Sequence, residues 1–217
     1  MRRLTMMIAA AAMAIVAMGA ITATAFAEAP EFLPGTAGQK YTGSNGEAIL
    51  ATEKKGTIEC KTNKETGEVT GTNHKEGIIT IDFETCKAFA IIGAHSLGDK
   101  ENIILVHGTT LLCTINTSPL EVGIVIHPEE VHIEVAGKLL LVKGWVIGKI
   151  SGSGKSYTTN FEQSSTGVQK IKNCVSNSGT KEKEETLLTS EGTGTPEKSS
   201  QTGKGPIGFE VSQELMS

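Results

Sequence analysis

Ligand-type side chains crowd together at one place in this chain, His127-Pro128-Glu129-Glu130-Val131-His132-Ile133-Glu134. On an extended strand alternate side chains share a face, so Glu130, His132 and Glu134 would stand together. His127 could approach them from across a turn at Pro128. Imidazole nitrogens and carboxylate oxygens are donors that a divalent metal accepts, and a metal held there would permit hydrolysis. The competing reading is the polar outer face of a hairpin, its carboxylates keeping the sheet soluble. The second reading is favoured, because zinc hydrolases commonly place two His at helical spacing and no helical period is present. The expectation is therefore no resident metal, with His127, Glu130, His132 and Glu134 as the candidates should one bind.

Gly152-Ser153-Gly154-Lys155-Ser156 has the ending of a phosphate-binding loop. The full pattern requires a glycine where Lys149 stands, and the following Ser-Tyr-Thr-Thr-Asn-Phe reads as strand rather than as the start of a helix. A hairpin turn is expected instead. There is no Gly-x-Ser-x-Gly elbow, and His74, His95 and His107 stand alone, so no nucleophile has its partners nearby in sequence. No catalytic residue and no cofactor are assigned.

Cys60, Cys86, Cys113 and Cys174 form an even set without a CxxC pair, which favours two disulfides over a metal site. Of the three possible pairings, Cys60 with Cys86 and Cys113 with Cys174 is preferred, since the first closes a short loop between segments that look adjacent. Alternation places Cys86 on the polar face with Asp82 and Glu84. A bulge or an early strand end near Thr85 must then turn it inward.

These groups depend on strands to position them. Residues 120–150 carry Leu120, Val122, Ile124 and Ile126, then Val131, Ile133 and Val135, at intervals of two, with breaks at 127–129 and 136–137. The stretch reads as strand, turn, strand, turn, strand, one face core and the other in water, with Trp145 in the core. Ile79, Ile81 and Phe83 alternate in the same way. Residues 87–100 lack a period and read as a capping loop, and 191–206 are too rich in Gly, Ser and Thr to bury a face, which predicts a mobile surface loop. The whole is an all-β domain, a single antiparallel β-sandwich or closed β-barrel of about ten to twelve short strands.

Residues 1–27 have a basic start, an Ala-rich apolar run and Ala25-Phe26-Ala27, the three parts of a cleaved export signal. The organisation expected is a signal helix at 1–27, an extended arm at 28–46 and one β-domain at 47–217, with no membrane span after cleavage. With 24 Asp and Glu against 20 Lys and Arg, two of the latter in the signal, the surface is acidic and nucleic-acid binding is not expected. The 4% aromatic content also argues against stacking platforms for bases or sugars.

The segments GTIECKT, IITIDFETC, ILVHGTTLLC, PLEVGIVIHPEEVHIEV and KGWVIGKISG together resemble a group of uncharacterised exported proteins abundant in some actinobacteria. That resemblance implies a secreted β fold and a bacterial source, and it transfers no catalytic residue. The functional expectation is a secreted, non-catalytic module that binds or builds at the cell surface or in the medium, with an unknown extracellular or cell-envelope partner. Two alternatives stand beside it: a lipocalin-like carrier with a cavity lined by the aliphatics of 120–150, and a metal-dependent hydrolase using His127 to Glu134.

Overall fold

The computed structural model describes residues 30–33, 37–53, 56–70, 75–176, 181–183, 188–191 and 194–216. The proposed signal at 1–27 lies outside them. Fifteen strands account for most of these residues, and no helix occurs among them: β1 (Glu31–Leu33), β2 (Gln39–Asn45), β3 (Ala48–Thr52), β4 (Gly56–Thr70), β5 (Glu76–Ala88), β6 (Ile92–Ser96), β7 (Ile103–Thr117), β8 (Leu120–Pro128), β9 (Val131–Val135), β10 (Lys138–Lys143), β11 (Val146–Phe161), β12 (Asn173–Val175), β13 (Lys181–Lys183), β14 (Leu188–Glu191) and β15 (Glu197–Met216). The all-β, antiparallel class is as expected. Several strands are longer than expected, β15 reaching 20 residues.

Each strand pairs antiparallel with its neighbours, and the ladder returns on itself. From β2 it runs through β4, β5, β7, β8, β11 and β15 back to β2. β3 prolongs β2 between the same two neighbours. Beyond them a second path leaves β5 through β6, β9, β10 and β14 and rejoins β15. Closure of this kind satisfies backbone groups that an open edge would leave unpaired.

Alternation then decides which side chains are enclosed. Val122, Ile124 and Ile126 of β8 and Val131, Ile133 and Val135 of β9 point into one large core, as their spacing predicts. In β5 the buried positions change from Gly77, Ile79 and Ile81 to Cys86 and Ala88. The change occurs across Thr85, whose φ is 58°, in the left-handed region that a β-branched residue rarely enters. The ladder with β4 keeps its register there, so neither an inserted residue nor a strand end is involved. Cys86 is thereby brought inward opposite Cys60, to which it is bonded.

Four readings of the sequence require correction. Within the arm expected at 28–46, β1 and β2 belong to the sheet: β1 pairs with β15, β2 lies between β4 and β15, and Phe32 is buried among Tyr41, Tyr157 and Phe209, plugging one end of the core. Within 87–100, Ile92–Ser96 is strand β6 rather than loop. The Gly152 to Ser156 segment is no hairpin turn; it is a bend inside β11, where Gly152 (φ 145°) and Gly154 (φ 66°) let the strand leave β8 and join β15. Residues 197–206, read as a mobile loop, form the first half of β15. Their small side chains are what a crowded interior strand needs: Ser199 and Ser200 are fully buried, and a Cβ on Gly205 would overlap Asn45.

The outer face of β7, β8 and β11 is also covered, against the expectation that it meets water. Cys113, Val125 and Ile147 pack there with Cys174, flanked by Trp145 and Ile171, and the Cys113–Cys174 bond ties the covering segment 162–176 down. Trp145, placed in the core by its sequence context, belongs to this smaller one and packs against His127 in a tilted arrangement, ring centroids 4.8 Å apart. Trp145 is the chain's single tryptophan, so it reports on the cover. Replacing Cys113 and Cys174 with alanine is expected to red-shift and brighten its emission and to lower stability by about 4 kcal/mol, the entropic value for a loop of 61 residues. The matching Cys60/Cys86 variant should leave the emission maximum in place; fluorescence with urea denaturation reads both.

Candidate functional site

Where the two closed paths meet, the core is incompletely filled. A partly enclosed cavity of about 100 Å³, counted as room for the centres of water-sized molecules, lies between β2, β3, β4, β5 and β15 on one side and β7 to β11 on the other. Its wall is mainly aliphatic, and the 120–150 stretch supplies Ile126, Val131, Ile133, Val142 and Val146. Asn45, Asn63 and Glu65 form a polar patch in that wall.

These three arrive from adjacent strands. Asn45 ends β2 and stands opposite Asn63 on β4, and Glu65 is one inward position further along β4, opposite Gly43. The intervening Lys64 points outward and pairs with Glu84 at 2.5 Å. Alternation thus sends one charge of the Lys64-Glu65 pair to solvent and the other into the core. The Asn45 amide Nδ2 donates to Glu65 Oε1, while Asn63 Nδ2 donates to the carbonyl of Gly46 at 3.4 Å. The Asn45 side chain lies over Gly205, where only a residue without Cβ leaves room, and its Oδ1 is buried without a partner.

Glu65 is 6% exposed. Burial pushes its carboxyl up from 4.5 to about 6, against the smaller downward pull of the Asn45 hydrogen bond. The sequence hides this group because Thr62-Asn63-Lys64-Glu65-Thr66 carries no apolar residue and gives no hydrophobic period. The usable signal was the alternation itself: Asn63, Glu65, Gly67 and Val69 share one face of an uninterrupted β4.

The four metal candidates are not brought together. His127 packs in a tilted arrangement against Trp145, Glu130 reaches Lys143 at 3.9 Å, and Glu134 faces His95 across the β6–β9 ladder, with His95 Nε2 at 3.9 Å. His132 points outward from β9. His127, Glu130 and Glu134 each have a separate neighbour, and among the described residues no three His, Cys, Asp or Glu side chains form a group able to hold a metal. The disulfides are Cys60–Cys86 and Cys113–Cys174, with no free cysteine, a chemistry consistent with an oxidising compartment. In comparisons with family models, curated proteins and solved structures, nothing matches this chain.

A buried acid whose proton is held more tightly in the folded state stabilises the fold at low pH. The contribution is complete below about 4.5 and lost as pH rises through about 6. Glu65→Gln keeps the neutral form at every pH. The variant is expected to match the parent near pH 4 and to exceed it at pH 8 by on the order of 2 kcal/mol in urea unfolding. Equal stabilities at both values would place the carboxyl in water.

Proposed function

We propose that this chain is an exported, non-catalytic binding module that carries a small, largely apolar ligand inside its closed sheet. The observation that supports it is the cavity, partly enclosed by the aliphatic faces that a carrier would use. Export is supported by the signal-like residues 1–27 together with two disulfides. An engineered cavity of roughly 150 Å³ binds benzene, which sets the scale of a suitable occupant.

Benzene near saturation is therefore expected to raise the melting temperature, a ligand at a hundredfold its Kd contributing about 2.7 kcal/mol. Ala48→Leu, which fills the cavity from β3, should remove that rise while leaving the circular dichroism of the sheet unchanged. No rise in the parent protein would end the carrier reading.

A second reading, docking on the cell envelope, has its own observation. The turn from Ala88 to Ile91 closes with Ile91 N donating to Ala88 O at 3.2 Å, and both central residues have positive φ, Phe89 at 52° and Ala90 at 64°. That geometry favours Asn-Gly. Here it carries Phe89, 58% exposed, and is followed by Ile91, 79% exposed, so a strained turn presents apolar groups to solvent. Replacing Phe89-Ala90 with Asn-Gly should raise stability by about 1–2 kcal/mol and reduce co-sedimentation with envelope fragments from an expressing host. Unaltered co-sedimentation would remove this reading.

A further inference from the structure

The polar end of the cavity has more acceptors than donors. Glu65 brings two carboxylate oxygens and Asn45 one carbonyl, three acceptor oxygens with two lone pairs each, against the two N–H donors of the Asn45 amide; the balance is the same whichever way that amide is turned. Asn45 Oδ1 has no partner, and the Asn63 amide is engaged by the Gly46 carbonyl. Among the described residues no lysine, arginine or histidine lines the cavity, and none of them supplies a counter-charge there to the enclosed acid. Buried carboxylates ordinarily sit beside a cation or lose their charge.

We propose that the cavity takes a small primary amine with an apolar body, its ammonium group paired with Glu65 and hydrogen-bonded to Asn45. The inference rests on the carrier reading and adds the chemistry of the occupant's head. An ammonium brings three N–H donors and the missing positive charge to a place short of both. The apolar body occupies the aliphatic region between Ile133, Val142 and Val146. The cavity volume limits that body to roughly the size of benzene or smaller. Among the described residues Glu65 is the one ionisable group in the lining. Tyr41, which lies within its field, is held neutral by burial, and Lys64 is turned to solvent against Glu84. Protonation of Glu65 below about pH 6 removes the charge that the amine needs.

The test uses the intact, oxidised chain and three probes with one carbon skeleton: 3-methylbutylamine, 3-methylbutan-1-ol and 3-methylbutanoate. Calorimetric titration at pH 7.5 is expected to give the amine at least about tenfold tighter binding than the alcohol, a difference of about 1.4 kcal/mol, with the carboxylate weakest. In Glu65→Gln the amine and alcohol should bind alike, and in the parent at pH 5 the preference should shrink. Binding of the alcohol as tight as that of the amine, or an amine preference that survives in Glu65→Gln, overturns the assignment and leaves the carrier reading standing. Binding of none of the three overturns both.

Discussion

Strand β15 is hydrogen-bonded along both flanks, by β14 and β11 on one side and by β3 and β2 on the other, and the enclosed interior exists because of that closure. A sheet with one open edge could splay to let water reach Asn45, Asn63 and Glu65. A closed one holds them where alternation puts them. Closure at this point demands small residues, because β15 must lie against the Asn45 side chain; Gly205 is placed at that contact and Ser199 and Ser200 lie fully buried further along. The composition that makes 197–206 look like a linker is what allows it to be an interior strand.

Several local features oppose stability, and the closed frame offsets them. Thr85 sits at a backbone angle that a β-branched residue avoids, at a cost on the order of 1–3 kcal/mol. It brings Cys86 into the interior beside Cys60. Glu65 is buried with one amide for company. The two disulfides act at different places: Cys60–Cys86 joins paired residues within the wall, whereas Cys113–Cys174 fastens a separate segment over its outside. That outer cover explains why Gly123 and Val125, on the face of β8 expected to meet water, are as buried as the residues facing the core.

Much of the frame was legible in the sequence. The strands of 120–143 follow from hydrophobic alternation, since their inner faces carry Val, Ile and Leu at every second place. The need to redirect the chain near Thr85 was visible as a conflict between the period of β5 and the position of Cys86. What escaped detection shares one cause. Where the inward residues are Asn63 and Glu65, or Gly203 and Gly205, the apolar signal vanishes although the strand continues, and the chain reads as loop. Asn45, Asn63 and Glu65 were thus hidden by the very polarity that makes them candidates for a site. His127, Glu130, His132 and Glu134, by contrast, are near one another in sequence, but the fold sends His127, Glu130 and Glu134 to separate partners and His132 to the outer face.

The state of Glu65 separates a closed interior from an open one more directly than any other property of the molecule. A carbon-13 titration of its side-chain carboxyl, assigned by comparison with Glu65→Gln, is expected to show a midpoint near pH 6. A midpoint near 4.5, the value of a carboxyl in water, would mean that the sheet does not enclose it.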